Sequence, residues 1–272
     1  MSTLSNLIAQ AASATKETRA HHERLATASR AATLAYEADR SRLVDMLKTM
    51  REEGREQEED YLFAASMLDD EALIEVDCQN DFVHHNGSLY VREGEYAIET
   101  INALRASRKW AKVVMTKDAH SAKHCSFQKN NPGSVLYKEF TLPTGEKQVA
   151  WPEHCVVGSW GSMIHSDIVV KPTDWVVHKG EDDTKEAYSA FEGTTLIDGV
   201  SSGNLADCLR ASGINRVVIC GYATDYCVRA TALDAVARGF TVKVVVSACR
   251  GVSEKKSAEA IEEMRAANII IE

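Results

Sequence analysis

The sequence lacks the features that mark several classes of protein. No apolar run approaches the length that a transmembrane helix needs, and a net charge of -9 offers no basic surface for nucleic acid or anionic lipid. The 7 cysteines include no C-x-x-C pair, and no apolar signal core opens the sequence. We therefore expect a cytoplasmic protein with reduced thiols that binds neither membrane nor nucleic acid.

The first 53 residues lack both glycine and proline, and they are rich in Ala, Glu, Arg and Leu. That composition favours helix. Gly54 and the acidic run around it predict the end of the helix and a solvated connection. We expect residues 1–70 to form a helical N-terminal extension that packs on the body or on another subunit, which leaves a homo-oligomer open. A partner-binding arm is the alternative, and no motif supports it.

From residue 71 onward, short apolar runs alternate with helical patterns. The runs predict buried strands at 72–77, 111–118, 175–180, 216–222, 242–248 and 268–271. Helical patterns lie near 94–107, 202–212, 226–239 and 254–267. This alternation predicts a three-layer α/β/α domain over residues 71–272, with a mainly parallel sheet of roughly six strands. Functional sites in such folds lie beyond the carboxyl ends of the strands.

Residues with reactive side chains follow four of these predicted strands, namely Asp77, Asp118, Lys179 and Cys227. Each alone is more often structural, because acids commonly cap helices and lysines commonly point to water. Cys227 stands where a helical pattern begins, and a helix N-terminus lowers the pKa of a thiol. Four such residues at one edge of a parallel sheet predict a functional site.

The residue types at these strand ends suit nucleophilic catalysis by a thiol. Cys227 would attack, Asp77 would accept its proton, and Lys179 would stabilise the negative charge. The backbone N–H groups of Ala223 and Cys227 would hold the oxyanion at the turn into the helix. This arrangement suits acyl transfer from an amide to water.

A second group of residues has the composition of a metal site. Asp118 and His120 lie two residues apart in an extended segment, and His154 can converge on them from a later loop. Two imidazoles and a carboxylate suit Zn(II), Fe(II) or Mn(II). His124 is left open as a fourth ligand, a partner of a ligand or a hydrogen-bonded loop residue, and the last two together are favoured.

Five stretches then reveal a resemblance over residues 71–272: "DCQNDF", "KDAHSAKHCSF", "WPEHCVVGSWG", "HKGEDDTKEAYSAFEG" and "GYATDYCVRATALDA". In this order they resemble the isochorismatase-like cysteine hydrolases, and specifically the nicotinamidase (pyrazinamidase) family. The resemblance implies a catalytic triad of Asp77, Lys179 and Cys227. It also implies a divalent metal, Zn before Fe or Mn, on Asp118, His120 and His154. Aromatic contacts to the substrate ring are implied for Phe82, Trp151 and Tyr188, and a cis peptide for Tyr222–Ala223.

The activity that the resemblance implies is hydrolysis of nicotinamide to nicotinate and ammonia in NAD salvage, with pyrazinamide as a second substrate. One alternative is another amidase of the superfamily, acting on a carbamoyl or ureido compound; the metal motif speaks against it. A non-catalytic scaffold is a third hypothesis, which the intact triad disfavours. The sequence departs from the family pattern at Ala119, usually aromatic, and at His84 and His85, which we interpret as loop residues.

Overall fold

The computed structural model describes residues 42–43, 45–46, 48–55 and 70–272. The chain divides into two compact units, Met1–Leu68 and Asp69–Glu272. In the first unit the described residues are helical up to residue 52, and Gly54 adopts a left-handed φ of 72° where the helix ends. The rest of the predicted extension lies outside the described residues, so its helical structure and the boundary at residue 70 stay predictions.

An eight-stranded sheet forms the centre of the second unit. Its order is β10-β9-β8-β1-β2-β5-β6-β7. The strands are β1 Glu71–Val76, β2 Lys112–Asp118, β5 Trp175–Lys179, β6 Thr194–Ile197, β7 Val200–Ser201, β8 Arg216–Tyr222, β9 Thr241–Arg250 and β10 Ile270–Ile271. A small separate hairpin pairs β3 Glu139–Thr141 with β4 Lys147–Val149. The six strands from β10 to β5 run parallel, which confirms the predicted fold class.

The sheet has two more strands than the sequence pattern predicted. β6 and β7 add to the edge as an antiparallel hairpin, whose turn is Asp198-Gly199 with φ of 52° and 75°. Both strands are short and partly exposed, so they give no apolar run. An Asp-Gly turn with both residues at positive φ is the strongest local hairpin signal, and it could have located them.

Helices cover the sheet because the parallel strands need crossover connections. They are α1 Asn80–Val83, α2 Tyr96–Ala106, α3 Leu205–Ala211, α4 Arg229–Ala237 and α5 Glu254–Ala266. The step from β1 through α2 to β2 runs toward one edge, and the step from β8 through α4 to β9 runs toward the other. Right-handed crossovers therefore place α2 and α4 on opposite faces. No helix within the described residues has the length and apolar character to cross a bilayer.

The direction in which strands are added reverses between β1 and β8. The chain builds outward from β1 to β2 and β5, and later from β8 to β9 and β10. Every residue of β1 and of β8 is buried, so both strands lie at the centre of the sheet. Ligands of open α/β sheets bind beyond the strand ends at such a switch point. The residues that follow β1 and β8 are Asp77 and the turn that carries Cys227.

The same central strand carries a buried ionic cluster at Glu75, the next-to-last residue of β1. Arg105 of α2 lies 3.1 Å from Glu75 of β1, and its guanidinium also pairs with Asp174. All three side chains are 4% exposed or less. Burial raises the pKa of Glu75 to about 7, against the opposing attraction of Arg105.

Candidate active site

Four strand ends bring the predicted reactive residues together. The Lys179 ammonium lies 2.8 Å from Asp77 Oδ2 and 3.4 Å from Cys227 Sγ, and it also pairs with Asp118 Oδ1. The Lys179 and Asp77 side chains are fully buried, and Asp118 and Cys227 are nearly so. Lys179 is thus the centre of a cluster formed by two carboxylates and a thiol, within reach of each.

Asp77 is fixed by its neighbour on β2. Its Oδ1 accepts a hydrogen bond of 2.5 Å from Thr116 Oγ1, and its backbone N–H donates to the same hydroxyl oxygen at 3.0 Å. The backbone of Asp77 has a φ of 48°, which is left-handed and uncommon for a residue other than glycine. The turn at the end of β1 therefore points this carboxylate toward Lys179 rather than along the strand.

The pKa values of the ionisable groups in this cluster are shifted in different directions. Burial raises the pKa of Asp77, although Lys179 counteracts it. Burial is the largest single influence on Lys179 and Asp118 and opposes their charges, yet the combined attraction of their charged and hydrogen-bonding partners outweighs it. This attraction holds the pKa of Asp118 well below, and that of Lys179 well above, the usual value. The cluster therefore contains a permanent ammonium and one permanent carboxylate, and Asp77 is the carboxylate closest to accepting a proton.

The pKa of the Cys227 thiol differs from the value expected from the sequence. Burial raises the pKa of Cys227 well above its ordinary value, and Lys179 opposes this only in part. The expectation of a lowered pKa at a helix N-terminus was wrong, because the desolvation of a 6% exposed thiol and the two nearby carboxylates outweigh the attraction of the Lys179 ammonium. Cys227 therefore rests as a neutral thiol and needs a base to be activated.

A close backbone approach shapes the turn that carries Cys227. Gly221 has a φ of 115°, and a Cβ at this position would lie 2.1 Å from the carbonyl oxygen of Val76, so only glycine fits. The peptide bond Tyr222–Ala223 is cis, as the resemblance implied. Cys227 then lies in a π-helical turn, Thr224–Val228, immediately before α4. The turn places the backbone of Ala223 and of Cys227 beside the thiol.

Asp118, His120 and His154 have donor atoms that lie within 4.8 Å of one another. His120 Nε2 and His154 Nε2 lie 3.6 and 3.7 Å from Asp118 Oδ2. His120 Nδ1 donates to the Gly180 carbonyl, and His154 Nδ1 donates to the Pro152 carbonyl, each at 2.8 Å.

These contacts show that the three residues fit a divalent metal. With each Nδ1 proton donated to a carbonyl, each Nε2 keeps its lone pair for a cation. The buried His120 Nε2 has no hydrogen-bond partner in the part of the chain that the structure describes. Two imidazoles and a carboxylate are a donor set for Zn(II), Fe(II) or Mn(II).

Asp118 joins the two groups of residues, which sequence reasoning treated as separate. Its Oδ1 pairs with Lys179 and its Oδ2 faces the two imidazoles. His124, by contrast, has contacts to both ring nitrogens from other residues. Its Nδ1 lies 2.8 Å from Ser126 Oγ and its Nε2 lies 3.2 Å from the Lys185 carbonyl oxygen. Its ring centroid lies 4.0 Å from that of His120, so the contacts fit both favoured interpretations, a hydrogen-bonded loop residue and a partner of a ligand.

An aromatic cavity adjoins the thiol of Cys227 and the imidazole of His154. Its lining includes Phe82, Trp151 and Tyr188, the three aromatic residues named from the resemblance. Trp151 Nε1 donates to the Tyr188 hydroxyl at 3.0 Å, which locks these two side chains together. Tyr226 also lines the cavity, with its ring centroid 4.8 Å from that of Trp151. Sequence reasoning missed Tyr226, although it directly precedes Cys227 in a quoted motif.

The cavity lining also includes polar groups. Cys227 and Ala223 contribute to it, and so do Asp118 and His154. A Glu186 carboxylate, which the sequence analysis did not single out, joins this lining. A flat aromatic ring between these walls could therefore meet a thiol with one substituent and the imidazole cluster with another.

The three departures from the family pattern lie outside this cavity lining. Ala119 is buried, and its N–H donates to the Lys179 carbonyl at 2.8 Å. His85 Nδ1 lies 2.8 Å from Glu95 Oε1, and its backbone N–H donates to the same oxygen at 2.9 Å. His84 stacks on His85 with ring centroids 4.3 Å apart. The histidine pair closes a loop, as the interpretation from sequence has it.

The fold and the site together define a hydrolase of α/β fold, with a cysteine at the switch point of a mainly parallel sheet. A model of the isochorismatase domain matches residues 71–272. The chain belongs to the isochorismatase family, which confirms the family predicted from its motifs.

Curated proteins and solved structures extend the comparison. The nicotinamidase of Escherichia coli is 38% identical over 200 residues, covering 72% of this chain and 91% of that protein. The yeast nicotinamidase bound to the inhibitor nicotinaldehyde superposes with a TM-score of 0.67 at 33% identity, covering 74% of this chain and 98% of its own. A Pyrococcus horikoshii pyrazinamidase in complex with zinc gives a TM-score of 0.57 at 34% identity, with coverages of 75% and 98%.

Proposed function

We propose that the protein is a nicotinamidase, which hydrolyses nicotinamide to nicotinate and ammonia. The single observation that carries the proposal is the cavity, whose lining combines aromatic side chains with Cys227, Asp118 and His154. A pyridine ring with a carboxamide at its third position has a ring for the aromatic side chains, an amide for the thiol and a ring nitrogen for the proposed metal. The similarity to nicotinamidases of several organisms supports the same substrate.

The first half of the reaction forms a thioester. Cys227 Sγ attacks the carboxamide carbon as its proton passes to Asp77, and the carbonyl electrons move to the oxygen. Lys179 stabilises the developing negative charge, and the N–H groups of Ala223 and Cys227 are positioned to bind the oxyanion. When the C–N bond breaks, Asp77 returns its proton to the nitrogen and ammonia leaves.

The second half regenerates the thiol. A water molecule loses a proton to Asp77 and attacks the thioester carbon, and the C–S bond then breaks. Cys227 takes the proton back and nicotinate is released. Burial raises the pKa of Asp77, and a carboxylate with a raised pKa is a stronger base for this repeated exchange. Lys179 keeps its own proton throughout, so protons move only among Asp77, Cys227, water and the substrate.

We further propose that Asp118, His120 and His154 hold one divalent ion, with zinc expected before iron or manganese. Bound there, the ion would supply a Lewis-acidic position for the ring nitrogen or for a water that bridges to it. The zinc complex of the related pyrazinamidase supports this choice of metal. The residues of this chain then orient the ring, so that its carboxamide carbon lies over Cys227.

Pyrazinamide is proposed as a second substrate, because its ring has the same shape and keeps a nitrogen at the same position. A cytoplasmic setting stays a prediction, in line with 7 cysteines that are all unpaired. A homo-oligomer also stays a prediction.

Ammonia release tests the proposed function. We expect the metal-loaded protein to hydrolyse nicotinamide and to leave benzamide, which differs only in lacking the ring nitrogen, almost untouched. N-carbamoylsarcosine would serve as the ureido comparator. Hydrolysis of the ureido compound without hydrolysis of nicotinamide would replace the proposal by the alternative amidase, and a lack of turnover on all amides would favour the scaffold.

A further inference from the structure

We infer that Gln79 and Asp81 are positioning residues that hold the two chain segments carrying the metal ligands. The inference rests on the proposed function, since it concerns the divalent ion proposed above. Both residues belong to the short segment after β1, only two and four positions beyond Asp77. Both side chains are buried, yet neither faces the thiol cluster.

Gln79 binds the backbone of Asp118 at two points. Its Oε1 accepts from the Asp118 N–H at 2.8 Å, and its Nε2 donates to the Asp118 carbonyl at 2.8 Å. The β1 ladder to β2 ends at Glu75 and Met115, so Asp118 lies beyond the reach of β1. The Gln79 amide takes the place of the missing strand neighbour and fixes the residue whose carboxylate faces both imidazoles.

Gln79 also ties this strand end to the segment that follows His154. Its Nε2 donates a second hydrogen bond, of 3.1 Å, to the Ser162 carbonyl. The Gln79 side chain has 0% exposure, and its amide oxygen and nitrogen are both hydrogen-bonded to the backbone of two chain segments. A buried amide with all its partners in place restricts its neighbours, because any displacement leaves a polar group unpaired.

Asp81 holds the loop of His154 in a comparable way. Its Oδ2 accepts a 2.7 Å hydrogen bond from the N–H of Cys155, directly after the ligand, and its Oδ1 accepts one of 3.0 Å from Ser88. Cys155 has a φ of 48°, a left-handed conformation that is unfavourable for a residue other than glycine and needs support from its surroundings. Gly161 packs so closely that a Cβ would lie 2.0 Å from Asp81 Oδ2.

The two ligand segments are also paired with each other. His120 and Val156 form a parallel bridge, in which the Val157 N–H donates to the His120 carbonyl at 2.9 Å. Gln79 therefore fixes one side of this pair and Asp81 fixes the other. The short span from Gln79 to Asp81 thus sets the separation between the segment of Asp118 and the loop of His154.

The test measures metal affinity rather than activity. We expect Gln79→Met and Asp81→Asn, which keep side-chain size, to weaken zinc binding about 10–100-fold, as loss of groups that orient metal ligands does. Zinc binding would be measured by competition with a chelating dye, and the visible spectrum of the cobalt-loaded protein would report the ligand geometry. Gln79→Glu, which keeps the acceptor and loses the amide donor, replaces Gln79→Met if that variant does not fold.

Asn80→Ala is the matched control from the same segment. The Asn80 amide donates to the Trp160 carbonyl at 2.8 Å and contacts neither ligand residue, so we expect zinc affinity to be unchanged. Wild-type affinity in folded Gln79 and Asp81 variants, or an equal loss in Asn80→Ala, would overturn the inference. If the wild-type protein binds no zinc, cobalt, iron or manganese, both the inference and the proposed metal site are wrong. Hydrolysis of nicotinamide is measured in a separate assay, so the proposed substrate is tested independently.

Discussion

Two buried ionic clusters flank the central strand, and they have nearly the same composition. In one, Arg105 lies between Glu75 and Asp174; in the other, Lys179 lies between Asp77 and Asp118. Each consists of a cation and two carboxylates, with side chains no more than 5% exposed. Burial and charge pairing are therefore not what distinguishes the site.

The difference lies in what surrounds each cluster. The Lys179 ammonium also reaches Cys227 Sγ, and Asp118 and Cys227 line a cavity. The Arg105 guanidinium instead locks α2 against β1 and the start of β5, and its delocalised charge stays fixed. A buried ion pair is thus weak evidence for catalysis until a nucleophile and space for a substrate adjoin it.

Replacing both central cations by methionine gives the strongest test of this comparison. Lys179→Met should lower kcat/KM for nicotinamide about 10⁴-fold, as loss of one member of a catalytic triad does. Without the ammonium, Asp77 would hold its proton and could not accept that of Cys227. The measurement is ammonia release by protein whose circular dichroism shows that it is folded. Activity within tenfold of wild type would remove Lys179 from the mechanism.

Arg105→Met should instead affect stability. Removing the guanidinium leaves Glu75 and Asp174 buried without their cation, and breaking such a pair costs about 3–5 kcal/mol of unfolding free energy. Urea unfolding at pH 7 would measure the loss. The folded fraction should keep wild-type kcat, and a specific loss of kcat in folded protein would show that the two clusters are not separate.

The contribution of Glu75 to the free energy of unfolding depends on pH. Its pKa rises from 4.5 in the unfolded chain to about 7, so the folded state binds this proton more tightly. The resulting stabilisation is complete below pH 4.5 and disappears as the pH rises through 7, and 2.5 pKa units amount to about 3 kcal/mol. Urea unfolding from pH 5 to pH 8 should show this loss in wild type and a smaller one in Glu75→Gln. Parallel curves would mean that Glu75 does not titrate as described.

The sequence predicted the parts of this molecule that depend on local pattern. Apolar runs located all six parallel strands, because a strand buried on both faces must be apolar throughout. The rule that strand ends converge then brought Asp77, Asp118, Lys179 and Cys227 together before any coordinates were known.

What the sequence could not predict depends on contacts between distant residues. The two hydrogen bonds from Gln79 to Asp118 span 39 positions, and the pairing of Lys179 with Asp118 spans 61. The pKa of Cys227 depends on how deeply the thiol is buried, and no local pattern reports that depth. The hairpin of β6 and β7 was missed for a different reason, because its turn signal was present while its strands are short and partly exposed.

The central claim is that Cys227 forms a covalent bond with the carbon of the amide. Mixing metal-loaded enzyme with nicotinamide, quenching in acid within the first turnovers and analysing the peptides by mass spectrometry tests it most directly. We predict a nicotinoyl group on the peptide that contains Cys227, no benzoyl group when benzamide replaces nicotinamide, and no acyl group on Cys227→Ala. Steady ammonia release by Cys227→Ala, or a nicotinoyl group on another residue, would contradict the account.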